Sequence, residues 1–137
     1  VYDRLNNELS FGLHWVWKQM AVKWSNPSAD DYGLDLCCGS GDLALLLAKQ
    51  IGKGGRVVGV DFAPEQLAIA RSRAKQYPLL SFEWLEADVL QLPFEANSFD
   101  CVTMGYGLRN VTDIPGCLSE IRRVLKPGAR AAILDFH

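Results

Sequence analysis

Gly39, Ser40 and Gly41 join an apolar run ending in Leu34-Asp35-Leu36 to an apolar stretch opened by Asp42, with Cys37 and Cys38 between them. A small-residue turn ahead of a helix lets a ligand approach the backbone closely. Asp61 closes the next apolar run, twenty residues after Gly41, where a carboxylate can accept hydrogen bonds from both hydroxyls of a ribose. Its local alternative is to cap a helix that opens near Pro64. The stretch from Gly39 to Ala44 also satisfies the permissive GxGxxA pattern of dinucleotide sites, so a dinucleotide-dependent oxidoreductase stays open. Against a pyrophosphate, Asp35 lies within the first run and Asp42 occupies the helix start, where an anion needs bare amides. Carboxylates on both sides of the turn favour a cation instead, such as the sulfonium and ammonium groups of S-adenosylmethionine. Asp88, after a third run, either accepts from an adenine amino group or is a solvated loop carboxylate.

These residues can meet only if the elements carrying them place them together. Five runs of strand length, at 32–36, 56–60, 82–87, 99–105 and 130–136, alternate with helix-like stretches at 41–51, from Pro64, and at 113–126. Such alternation predicts an α/β fold with a doubly wound parallel sheet, whose ligand lies at the carboxyl ends of the strands where their order reverses. The residues following the strands are Cys37 to Gly41, Asp61, Asp88 and the segment GYGLRN at 105–110. The helix over 113–126 is expected to bury Ile114, Cys117, Leu118, Ile121 and Leu125, to carry Arg122, Arg123 and Lys126 in its last turn, and to stop at Gly128. In the first helix, Leu13, Val16, Trp17, Met20 and Trp24 share an arc and are expected to face the core. Phe11, Trp15 and Val22 lie opposite, with Lys18 beside them; this second face is open to an apolar ligand tail, a membrane surface, a further segment or a second subunit, as in a homodimer.

Composition excludes other classes. The 137 residues suffice for one domain, 49% of them are hydrophobic, and a net charge of −2 without long basic runs argues against a nucleic-acid partner. The four cysteines lack CxxC spacing, so no metal is expected, and they read as reduced, buried residues of an intracellular protein. Nothing at the N-terminus reads as a signal peptide or a membrane span.

The segments DLCCGSGDL, GVDFAPEQL, ADVLQLPFEANSFD, MGYGLRNV and EIRRVLKPG occur in the order and spacing of the ubiquinone and menaquinone C-methyltransferases, which the chain resembles. The N-terminal YDRLNNELSFGLHWVWK is similar to that family's lid. CCGSGD and MGYGLRNV most resemble the photosynthetic branch, which methylates demethylphylloquinone. The resemblance implies a Rossmann-like S-adenosylmethionine-binding domain at 29–137 with a helical lid at 1–28. It implies cofactor contacts from Asp35, Gly39, Ser40, Gly41, Asp61, Phe62, Asp88, Val89 and Gly105, and quinol contacts from Tyr2, Asn6, Tyr106, Arg109 and Asn110. The substrate would be a prenylated naphthoquinol, with menaquinone-, ubiquinone- and plastoquinone-type rings as alternatives. A cytoplasmic or plastid-stromal location at the periphery of a membrane is implied with it. Cys37, Cys38, Gly33 and Trp15 depart from the wider family's residues. Family members continue past the fifth strand, so the chain reads as truncated, with its last strand left as an edge prone to self-association. A non-catalytic protein on the same fold is the remaining alternative.

The chemistry of such a transfer asks for an electron-rich ring. A phenolic hydroxyl has a pKa near ~10, as in tyrosine, so a fixed cation is needed to hold phenolate at neutral pH. Arg109 is the candidate, acting on the oxyanion directly or through a water; its bland alternative is an ion pair with Asp113. His14 is the second candidate proton acceptor, and could equally be packed among tryptophans.

Overall fold

A computed structural model describes residues 2–105 and 107–134, with side chains from Leu13 onward apart from that of Arg109. The order is α1 (Tyr2–Trp24), β1 (Tyr32–Leu36), α2 (Asp42–Ile51), β2 (Arg56–Asp61), α3 (Pro64–Ala74), β3 (Phe82–Glu86), β4 (Phe99–Gly105), a 3-10 turn (Leu108–Asn110), α4 (Ile114–Val124) and β5 (Leu125–Leu134). The strands form one parallel sheet in the order β3-β2-β1-β4-β5. The chain winds outward from β1 to β3, then returns to β4 on the other side of β1. That reversal puts the carboxyl ends of β1 and β4 at a crevice.

Strands covered on both faces need apolar residues in succession. Leu34, Leu36, Val58, Val60, Val102 and Met104 pack with Cys117, Ile121 and Val124 of α4 on one face. Val57 and Cys101 pack with Leu43, Ala44, Leu47 and Ala48 of α2 on the other. Gly33 shares the second face, where a Cβ would lie 2.9 Å from Leu47 Cδ2, so α2 leaves no room for a branched residue. Gly59 lies beneath the Trp84 indole, and a Cβ there would come within 2.5 Å of Cε3 and Cζ3. Gly59→Val is therefore expected to destabilise the fold by about 1–3 kcal/mol through overpacking, read as a lower urea midpoint. An unchanged midpoint would mean that the indole swings aside at no cost.

Two expectations are corrected. Four of the five residues of the α1 arc expected inside are outside, Leu13 being 51% exposed and Trp24 58%, with Val16 and Met20 exposed too, while Trp17 is half-buried. Ala21 and Val22, each 2% exposed, face the core with Ser25, and Lys18 on the same side bonds Asp42 Oδ2 at 2.6 Å. Residues 18, 21, 22 and 25 form a helical face of their own. Against α2 and β5 its small side chains allow close approach, while the bulkier stripe, which periodicity favoured, has no described partner surface to fill. Lys18 consequently points at a carboxylate of the domain rather than at a lipid headgroup. The second correction concerns α4, which ends at Val124 because Leu125 is already extended and paired with Phe99. Lys126, Pro127 and Gly128 belong to β5, Lys126 reaching Asp100 Oδ1 at 2.9 Å, and Ile114 and Leu118 are exposed. Among the described residues β5 stands at the end of the strand order; Phe136 lies outside them.

Candidate functional site

After β1 the backbone turns through three left-handed residues, Cys37 (φ 52°), Gly39 (φ 53°) and Gly41 (φ 97°). Glycine is the residue that adopts this conformation without strain. A Cβ on Gly39 would meet nothing closer than Gln66 Oε1 at 4.0 Å, so that side of the turn is open to a ligand. Gly41 serves packing instead: a Cβ there would lie 3.2 Å from Ala70 and 3.4 Å from Trp84, and it lines neither lobe of the cleft described below. Asp61 accepts from Gly39 N at 2.8 Å and from Ala63 N at 2.9 Å. Both readings of this residue thus hold together, since its carboxylate opens α3 and also braces the turn. Arg73, at the end of α3, donates to Ser40 O at 2.8 Å, to Ser40 Oγ at 3.3 Å and to Asp42 Oδ1 at 2.8 Å.

The two acids beside the turn differ in state. Burial works against ionisation of Asp42, but hydrogen bonds from Lys18 and Arg73 outweigh it and hold its pKa below the usual value. Its charge is therefore answered from both sides, and repulsion of a phosphate rests on Asp35 alone. Asp35 is 1% exposed and faces Thr103 across the sheet, where Thr103 Oγ1 donates to Oδ1 at 2.8 Å. Its Oδ2 has no hydrogen-bond partner among the described residues. Burial raises its pKa to about 7, against the opposing pull of Thr103 and the Ala44 amide. An acid left half-satisfied in the sheet interior is costly unless a ligand completes it.

A cleft with two lobes opens over these residues, and Cys37 lines both. The smaller, about 210 Å³, is lined by Lys18, Asp35, Gly39, Ser40, Asp42 and Gly105 among others. The larger, about 340 Å³, takes Asp61, Phe62, Asp88, Val89, Gly107 and Asn110. A cavity of about 430 Å³ behind α1 and α2 is larger still, but it touches no strand end and Lys23 is its one ionisable side chain. The cleft therefore brings together Asp35, Gly39, Ser40, Asp61, Phe62, Asp88, Val89, Gly105 and Asn110. His14 lines neither lobe; its ring lies 5.6 Å from that of Trp17. Tyr106 lies outside the described residues, as do the side chains of Tyr2, Asn6 and Arg109.

Cys37, already named among the residues that follow β1, lines both lobes; Lys18, Arg73 and Thr103 join the site without having been singled out for it. Thr103 left a trace, since it and Asp35 are the polar residues interrupting two buried strands. The others left none, because their roles depend on contacts far along the chain. The thiol of Cys37 is pushed up to about 12, chiefly by burial, so it contributes shape to the cleft and no nucleophile. Among the described residues no cluster of His, Cys, Asp and Glu could hold a metal ion.

Comparison with known proteins places this cleft in context. The model of the ubiE/COQ5 methyltransferase family matches residues 1–137. A 2-phytyl-1,4-naphtoquinone methyltransferase of Trichormus variabilis is 62% identical over 100% of this chain and 60% of its own length. The chloroplastic 2-phytyl-1,4-beta-naphthoquinone methyltransferase of Arabidopsis thaliana is 54% identical over 100% of this chain and 54% of its own. The chain thus spans about 60% or less of the length of these relatives. Among solved structures, a SAM-dependent methyltransferase of Aquifex aeolicus superposes with a TM-score of 0.78 at 25% identity, over 87% of this chain and 63% of that one. The YcgJ protein of Bacillus subtilis superposes at 0.80 and 26% identity, over 88% and 50%.

Proposed function

Since this chain belongs to the ubiE/COQ5 methyltransferase family, we propose that it holds S-adenosylmethionine in the cleft and methylates a ring carbon of a prenylated naphthoquinol. Demethylphylloquinol is the substrate, in keeping with the names of the relatives at 62% and 54% identity. The observation that carries the cofactor is the buried, unpartnered Oδ2 of Asp35 beside an open glycine turn. It suits a cationic ligand group and opposes a phosphate, which sets the dinucleotide alternative aside.

Asp35 faces the ammonium in the smaller lobe, Asp61 the ribose hydroxyls, and Phe62, Asp88 and Val89 the adenine in the larger lobe. When bound, the cofactor supplies an electrophilic methyl group on a sulfonium. Arg109 holds the quinol oxygen as an anion, and its guanidinium stays protonated throughout. Asn110 orients the ring, Tyr2, Asn6 and Tyr106 are assigned to the quinol by the family resemblance, and His14, which lines neither lobe, is the second candidate to receive the hydroxyl proton by way of water. With the methyl on the ring carbon, the proton displaced from that carbon would pass to solvent, which restores the aromatic ring. A phytylated substrate resides in lipid, so the protein works at a membrane periphery, in a stroma or a cytoplasm. The exposed stripe of Leu13, Val16, Met20 and Trp24 is the surface of α1 suited to that contact. No helix among the described residues is long and apolar enough to cross a membrane.

Methylation assays with naphthoquinols and benzoquinols side by side test the substrate. Equal turnover on both rings would remove the naphthoquinol assignment. For the cofactor, Asp61→Ala is expected to weaken S-adenosylhomocysteine binding far more than Asp113→Ala. Asp113 caps α4 by accepting from Gly116 N at 2.9 Å, so its loss should cost about 1 kcal/mol of stability and leave affinity intact. Equal calorimetric affinities for the two variants would return Asp61 to a purely structural role.

A further inference from the structure

We infer that Lys18, on α1, binds the carboxylate of the cofactor's amino-acid end, an inference that rests on the S-adenosylmethionine reading above. The smaller lobe holds the buried Asp35 with its unpartnered Oδ2, and it holds Asp42. A zwitterionic amino-acid group can place its ammonium on Asp35. Its carboxylate then enters the same partly buried lobe, where an anion is best placed on a cationic hydrogen-bond donor. Among the described residues lining this lobe, Lys18 is the one cationic side chain. Its ammonium is already brought to the turn by Asp42 Oδ2 at 2.6 Å, and its side chain is 19% exposed. Arg73 holds the other oxygen of Asp42 and fixes the target to which Lys18 is anchored. An ammonium has three N–H donors, so bonding to Asp42 and to a ligand carboxylate are compatible. Lys18 lies one turn before Ala21 and Val22, the contacts that seat α1 on α2. Through it the N-terminal helix senses whether the cofactor is in place.

The test compares S-adenosylmethionine with its decarboxylated form, which differs only by the carboxylate. By calorimetry, the wild-type protein is expected to prefer S-adenosylmethionine by roughly tenfold to a hundredfold, the worth of a charge-assisted hydrogen bond. Lys18→Met should reduce that preference to within about twofold, and Lys18→Arg should restore most of it. Equal weakening of both ligands in Lys18→Met would show that Lys18 only braces Asp42 and α1, and would overturn the inference. A wild-type protein that binds both equally overturns it as well while leaving the cofactor reading in place. Binding of neither ligand removes the cofactor reading itself.

Discussion

Asp35→Asn is expected to make the ligand-free protein more stable at pH 8 than the wild type, and to weaken S-adenosylhomocysteine binding by on the order of a hundredfold or more. In the fold the Asp35 pKa stands at about 7, raised from 3.8 by burial. Because the native state holds this proton more tightly than the unfolded chain does, its contribution to stability is fully present below about pH 4. It is lost as the pH rises through 7, leaving a buried, half-satisfied charge above that. Asparagine removes the loss, so the melting-temperature difference between variant and wild type should grow from pH 5 to pH 8. Ligand binding runs the other way, since an ammonium on Oδ2 needs the carboxylate. Wild-type affinity should therefore rise between pH 6 and pH 8, with a proton released on binding, and the variant should lose this dependence. A variant less stable than wild type at pH 8 would mean that the charge is compensated in the native state. Unchanged affinity would take Asp35 out of the site.

In the complete enzyme, Arg109→Ala is expected to lower kcat by on the order of 10² while leaving cofactor affinity nearly unchanged. The backbone of Arg109 lies in the 3-10 turn that follows β4, and Gly107 and Asn110 on either side line the larger lobe. A quinol hydroxyl ionises too weakly to be held as phenolate at neutral pH without a fixed cation. Lysine should rescue poorly, because a point charge does not reproduce a planar fork aimed at one oxygen or its water. Single-turnover methylation in quench-flow measures the step directly. Normal turnover in the alanine variant would return Arg109 to an ion pair with Asp113.

Much of this protein could be read from local signals. The strands at 32–36 and 99–105 have the bounds read for them, and α2 and α3 begin at or within one residue of the expected starts, because alternating apolar runs, glycine stops and Pro64 act over a few residues. The alternation implies a doubly wound parallel sheet, while the order β3-β2-β1-β4-β5 is seen only in the structure. So the residues after the strands could be named in advance, and Asp35, Gly39, Ser40, Asp61, Asp88 and Gly105 do line one cleft.

What local signals could not determine was which groups answer one another across the fold. Lys18 and Asp42 are 24 residues apart, Arg73 and Asp42 are 31, and Asp35 and Thr103 are 68. Side-chain type shows that a charge exists, but only the tertiary structure shows whether it is compensated. Asp42 is neutralised by two cations while Asp35 keeps an oxygen without a partner among the described residues, and this difference makes one acid a brace and leaves the other open to a ligand. The rotation of α1 was decided in the same way. Its sequence offers two faces, and hydrophobicity alone favours the bulkier; close approach to α2 and β5 selects Ala21 and Val22, with Lys18 on the same side paired to Asp42.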